Sequence, residues 1–389
     1  MNTQNTPVHV KLWHRDFWLL LMADLLLTMS VYMLLPVLPQ WLMLTENFTS
    51  LEAGLSMGVF AFGLYLLGAQ CSWLVQRYRR NVVCMWAVLA LALDTAMLWY
   101  LDGLRSEFIE FWVIMLQRLL LGAAFGLAQM VLSSTLIIDT CESFQRTEAN
   151  YSAAWFARFA LSLGPLAALL TCSYFGFDKV LWAAVGCAVL SVLLIRRVNF
   201  PFRAPEEGVH VASLDRFLLP HGFVLYLNLL LVSLVVGLLL SLGLTVRFYA
   251  LLMGGFLLAL LAQRFVFRDA ELKSEVVTGL FLLIAALLVL LVYPDSFVAP
   301  VLTGLAVGII SARFLLFFIK LSRHCQRGTS QSTYFLGWET GLALGVGLGY
   351  AVFFEQREAL LYCCLALSGV ALLMYHLFTH TWFVNHKNR

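Results

Sequence analysis

Read as a succession of apolar and polar positions, the chain is a series of long apolar runs joined by short polar turns. Most runs approach the roughly 20 residues that carry a helix across a bilayer. They lack the alternation that a membrane-barrel strand needs, and an uninterrupted apolar run in lipid satisfies its backbone by coiling into a helix. Twelve helices are predicted, over residues 17–44, 53–75, 82–101, 108–138, 151–174, 180–195, 221–244, 247–267, 276–293, 297–321, 332–354 and 359–378. The longest polar interruption runs from Arg196 to Pro220 and carries Arg196, Arg197, Arg203, Arg216, the acidic pair Glu206 and Glu207, and Pro201, Pro205 and Pro220. It divides the chain into a six-helix bundle over residues 1–195, a linker over 196–220 and a second six-helix bundle over 221–389.

Composition agrees with this pattern. The 389 residues are 61% hydrophobic and 12% charged, about half the charged share of a soluble domain. The expected class is an all-α membrane protein. The first apolar run is too long for a secretory signal and lacks a small-residue cleavage site, so it reads as a retained helix. The eight cysteines show no metal-ligand spacing and sit in apolar runs or at helix ends. Neither a disulfide framework nor a metal site is expected. His376 and His380 have the i, i+4 spacing of a metal pair, but no third ligand lies beside them.

Lys and Arg mark cytoplasmic loops by their excess. Most of the 25 fall on one side, among them Lys11, Arg15, Arg77, Arg79, Arg80, Arg146, Arg264, Arg268, Lys273, Lys320, Arg323, Arg327, Lys387 and Arg389. Arg105, Lys179, Arg247 and Arg357 fall on the other. Both termini and the linker are therefore expected in the cytoplasm, with the chain in the plasma (inner) membrane.

The two halves echo each other. Leu74-Val75-Gln76-Arg77-Tyr78 follows the second helix and Leu261-Ala262-Gln263-Arg264-Phe265 follows the eighth. Arg158 precedes Gly164 by six residues in the fifth helix, as Glu339 precedes Gly345 in the eleventh. Repeats of this kind point to a transporter with a pseudo-two-fold axis.

These residues resemble the major facilitator superfamily over essentially the whole chain. Ser72 to Arg80 is similar to that family's loop between helices 2 and 3, usually Gly-x-x-x-Asp-Arg-x-Gly-Arg-Arg. Gln76 stands at the acidic position, and Ser72 and Arg79 replace glycines. Arg118 with Gly122 and Gly126 resembles the helix 4 signature, and Gly164-Pro165 the Gly-Pro of helix 5. The resemblance implies two bundles that rock about a central cavity. It also implies a gating role for Gln76, Arg77 and Arg80 and for their counterparts Gln263 and Arg264.

An ionisable residue at membrane depth is costly and marks candidate function. Five stand out: Asp24, Arg118, Arg158, Arg313 and Glu339. At about 1.5 Å per residue, Asp24, Arg158 and Glu339 lie roughly 10–12 Å in from the cytoplasmic face. Arg313 reaches a similar level and Arg118 lies nearer the midplane. In one reading the carboxylates exchange protons while the arginines hold substrate. In the other, Asp24–Arg158 and Arg313–Glu339 are static ion pairs. Asn228 sits in helix 7 as Asp24 sits in helix 1, facing either the cavity or a neighbouring helix. Tyr32, Tyr65, Trp155, Tyr226, Tyr334 and Trp338 are candidate cavity walls. Asp94, in the third helix, is expected to pair with helix 2.

No phosphate-binding loop or nucleophile–base set is present, so the chain reads as no enzyme and needs no cofactor. The expected function is secondary active transport by alternating access, most similar to proton-coupled export of a drug or small metabolite. Uptake of a small organic anion by symport and lipid translocation are the rivals. Expected partners are a small-molecule substrate, protons and the lipid bilayer. No nucleic-acid partner is expected, and the chain is expected to act as a monomer.

Overall fold

The computed structural model describes residues 11–103, 110–200, 210–267, 271–323 and 326–388. Residues 201–209 of the predicted linker, with Arg105, Arg268, Cys325 and Arg389, lie outside the described residues. The fold is all-helical, as expected. Among the described residues, eleven helices are long and apolar enough to cross a membrane, and a pair bent by 50° at a short break makes twelve when taken as one span. In chain order they are α1 (Arg15–Leu44), α2 (Ser50–Leu66 continued by Cys71–Arg77), α3 (Arg80–Leu101), α4 (Phe111–Asp139), α5 (Arg146–Phe175) and α6 (Phe177–Arg196). After the bridge come α7 (Pro220–Leu240), α8 (Val246–Phe265), α9 (Leu272–Val292), α10 (Val298–Leu321), α11 (Arg327–Phe353) and α12 (Arg357–His386).

Several helices depart from an unbroken span for local chemical reasons. In α1 the regular helix stops at Tyr32 and resumes at Leu34, because Pro36 has no N–H to offer the Tyr32 carbonyl. The start of α2 is set by Thr49. Its Oγ1 accepts from the Glu52 amide at 3.2 Å, while Glu52 Oε2 accepts from the Thr49 amide at 2.8 Å. This reciprocal cap satisfies two otherwise orphaned donors. Near its end α4 widens into a π turn over Leu132–Leu136. There Ser133 Oγ donates to the Gln129 carbonyl at 2.7 Å and Thr135 Oγ1 to the Val131 carbonyl at 2.5 Å. Such back-bonding hydroxyls loosen the regular ladder.

Two helices begin a full five residues earlier than hydropathy predicts. α11 starts at Arg327 rather than Ser332, because Thr329, Ser330 and Gln331 are polar yet buried. α5 starts at Arg146 rather than Tyr151, with Ala149 and Asn150 buried in its first turns.

Helix pairing is regular. α1 packs on α5 and α6, α2 on α4, and α3 on α4 and α6; α7 packs on α11 and α12, α8 on α10, and α9 on α10 and α12. Each pairing among the first six spans thus recurs at the corresponding place among the last six. The closest ones are glycine contacts. A Cβ on Gly122 of α4 would lie 2.4 Å from the Phe60 carbonyl of α2, and one on Gly304 of α10 would lie 2.3 Å from the Leu252 carbonyl of α8. Small residues of this kind let membrane helices approach backbone to backbone. Across the two sets, α2 packs on α11 and α5 on α8. Large apolar side chains such as Phe62, Trp86, Trp112 and Phe281 point outward, as a bilayer solvent allows.

Candidate functional site

The polar centre lies between α1, α4, α5 and α11. One turn-spaced face of α1 supplies Asp24, Thr28 and Tyr32. α4 supplies Arg118, Gln129 and Ser133, α5 supplies Arg158, and α11 supplies Gln331, Tyr334, Trp338 and Glu339. These residues enclose two small compartments. The larger, of about 40 Å³, holds Asp24, Arg158 and Glu339 on its wall. The smaller, of about 10 Å³, is lined by Tyr32, Phe60, Arg118 and again Glu339. Glu339 is the partition between them.

Of the five intramembrane charges predicted from the sequence, four meet here. Asp24, Arg118, Arg158 and Glu339 are each at most 4% exposed. None has an opposite charge within 4 Å among the described ion pairs. Tyr32 donates its hydroxyl to Glu339 Oε1 at 2.5 Å. Arg158 donates Nη2 to the Tyr334 hydroxyl at 3.3 Å and stacks over Trp155, 4.8 Å from the ring centre. Arg118 lies over the Phe60 ring at 5.1 Å. Behind it Gln117 donates Nε2 to Asp94 Oδ2 at 2.7 Å, so Asp94 is held by α4 rather than by the expected partner on helix 2. Nε and Nη1 of both arginines, and Oδ1 of Asp24, are buried without a hydrogen-bond partner. Neither expected static pair, Asp24–Arg158 or Arg313–Glu339, is formed.

Two candidates stand apart from the centre. Arg313 turns away and pairs through Nε with Glu275 of α9, a carboxylate with a side chain only 1% exposed. Its counter-charge was missed because the ninth apolar run was read as starting one residue later, at Val276. Asn228 is also absent from the compartments. Its Nδ2 donates to the Ala371 carbonyl of α12 at 3.1 Å, which is the interhelical role. A uniformly apolar helix such as α7 gives no hydropathic sign of which way one polar residue points.

The expected gating residues make unequal contacts. Gln76 Nε2 reaches only Ser72 Oγ, at 3.3 Å on its own helix. Arg77 is exposed, Arg80 pairs with Asp139 at the end of α4, and Arg264 lies against its neighbour Phe265. Gln263 alone crosses between the sets, accepting from the Tyr151 hydroxyl of α5. A second hydroxyl cluster joins α2 to α7 and α11, where Tyr65 meets Tyr226 and bonds Thr340 Oγ1 at 2.7 Å. Gln129 escaped notice as one polar residue in an apolar run, yet its Nε2 ties α4 to α1 by donating to Thr28 Oγ1 at 2.7 Å.

Comparison with known proteins agrees with this architecture. Residues 20–346 match the model of the Major Facilitator Superfamily. No curated protein matches the sequence. Among solved structures, the chain is similar to a bacterial homologue of the iron transporter ferroportin in an outward-facing state (TM-score 0.65, 17% identity, 95% of this chain and 99% of that one). It is also similar to the human organic anion transporter MFSD10 (0.63, 16%, 92% and 98%). A third is the E. coli fucose:proton symporter FucP (0.64, 14%, 94% and 98%). At these identities the likeness is one of fold.

Proposed function

Because the chain belongs to the major facilitator superfamily, a family of secondary transporters and not of enzymes, we propose that it carries a small organic anion across the membrane in exchange for, or together with, protons. The observation that carries this reading is the pair of buried guanidinium groups, Arg118 and Arg158, each with two N–H-bearing nitrogens unpartnered and no carboxylate within 4 Å. A buried charge without a close counter-charge costs several kcal/mol; Asp94 offsets part of that cost for Arg118, and a bound anion removes more of it. Asp24 and Glu339 share the compartments and are the proton-exchanging groups. The aromatic walls, Tyr334, Phe335 and Trp338, suit a compact, partly apolar anion. Alternating access follows from residues 1–195 rocking against 221–389, in a monomer whose termini lie in the cytoplasm of a cell bounded by that plasma membrane.

The test is uptake of labelled benzoate and a panel of small monocarboxylates into proteoliposomes under an imposed pH gradient. Arg118→Ala and Arg158→Ala are expected to abolish it, and wild-type rates in both variants would end the reading. Inside-out against right-side-out vesicles give the direction. Asp24 and Glu339, buried without a cation, favour a second reading, antiport of a drug or metabolite carrying positive charge. Binding of tetraphenylphosphonium that is lost in Asp24→Asn would select it. Lipid translocation finds less support, since the larger compartment is lined by Asp24, Arg158 and Glu339 and holds only about 40 Å³.

A further inference from the structure

Just before α7, residues Ser213–Leu219 take hold of both sets of helices. α2 breaks between Leu66 and Cys71, which frees the Ala69 carbonyl, and the Ser213 amide donates to it at 2.9 Å. At the same break the Phe217 ring fills the space beside Gly68. A Cβ on that glycine would lie 2.0 Å from the ring, so any larger residue would displace Phe217. Phe217 also meets Tyr65 edge to face, at 6.1 Å.

On the other flank, the Arg216 amide donates to Thr329 Oγ1 at 2.9 Å and the Leu219 amide to Thr333 Oγ1 at 2.8 Å, both on α11. Between the flanks stands Asp215. Its Oδ2 accepts from Ser72 Oγ of α2 at 3.3 Å and its Oδ1 from Thr329 Oγ1 of α11 at 3.1 Å. Arg216 holds a left-handed backbone, φ +58°, a conformation that non-glycine residues adopt only when their surroundings impose it.

We infer that Asp215 is a positioning residue of the transport cycle: the strap Ser213–Leu219 closes the end of the protein at which α1 begins and α12 ends, and Asp215 is the latch between α2 and α11. The loop after α2 has Gln76, which bonds only within its own helix, so the carboxylate that reaches across comes from the bridge. The geometry places the latch where opening must act. At the opposite end α2 and α11 already touch directly, since a Cβ on Gly54 would lie 2.5 Å from the Gly347 carbonyl and the Ala351 amide. The two ends of one helix pair are thus held by different means. Direct backbone contact closes one, and the intervening strap closes the other, with Asp215 the side chain in it that bonds both helices. For the strap end to open, Asp215 must release either Ser72 or Thr329, together with the strap's other contacts on that flank.

Hydrogen–deuterium exchange on the whole protein in nanodiscs tests this. In Asp215→Ala, peptides covering Cys71–Arg77 and Arg327–Tyr334 are expected to exchange about tenfold faster, the effect of losing hydrogen bonds to a charged acceptor. Peptides covering Ser50–Gly58 and Gly347–Phe353, at the far end, are expected to keep the wild-type rate. Asp215→Asn, which keeps an acceptor oxygen without the charge, is expected to give a smaller rise confined to the same end, and it serves alone if the alanine variant does not fold. Unchanged exchange at the strap end would overturn the inference. So would an equal rise at both ends, because that is general loosening rather than release of a latch.

Discussion

Removing Arg313 is expected to damage stability far more than removing both members of its ion pair. Glu275 is buried to 1% exposure of its side chain, Arg313 retains 16%, and the second carboxylate oxygen of Glu275 has no partner. In Arg313→Ala the carboxylate stays buried and loses its counter-charge, at a cost of about 3–5 kcal/mol. Glu275→Ala strands the better-hydrated partner and is expected to cost less. Replacing both by methionine keeps volume and removes both charges, and a buried pair exchanged for apolar residues is close to neutral. The double variant should therefore lie near the wild type, with a coupling of about 3 kcal/mol in a double-mutant cycle. Titration with SDS in mixed micelles, followed by helical circular dichroism, measures all four corners. Additive single effects would refute the assignment of Arg313 to structure. So would a stable double variant that no longer transports.

Four other variants have outcomes that follow from their surroundings. Tyr32→Phe removes the donor to Glu339 and should slow proton-driven uptake in proteoliposomes by about tenfold or more, the worth of a hydrogen bond to a charged group. Asn228→Leu gives up one bond between α7 and α12, averaging about 0.6 kcal/mol in membrane helices; its SDS midpoint should fall slightly while transport rates stay unchanged. Gly122→Ala forces a methyl to within 2.4 Å of the Phe60 carbonyl and should cost about 1–3 kcal/mol by overpacking. Gly186→Ala, with nothing within 4 Å of the new methyl, should leave thermal stability unchanged or raise it.

The number of spans and the echo between halves were legible because both are written in the alternation of apolar runs and turns. Depth counting was informative as well. Asp24, Arg158 and Glu339, assigned to one level by residue spacing alone, line one compartment. Azimuth was not legible. Helices solvated by lipid on one side and by protein on the other are apolar all round, so nothing in α10 shows that Arg313 turns toward α9, and nothing in α7 shows that Asn228 turns toward α12. The polar start of α11 at Thr329–Gln331 was invisible to hydropathy for the opposite reason, since these polar residues are buried, with Thr329 bonded to the strap. The strap itself read as a linker, because backbone amides that dock onto a broken helix leave no compositional trace.

The wide turn near the end of α4 stores one surplus residue in the helix. Were that residue drawn back into regular winding, everything beyond it would swing by about 100° about the helix axis. Asp139 would leave Arg80, and the stretch before Arg146 would have to follow. Ser133, which faces the central compartment, sits inside the turn. The central compartment and the tip of α4 thus share one slack turn, and a residue that lines the first also sits in the hinge of the second.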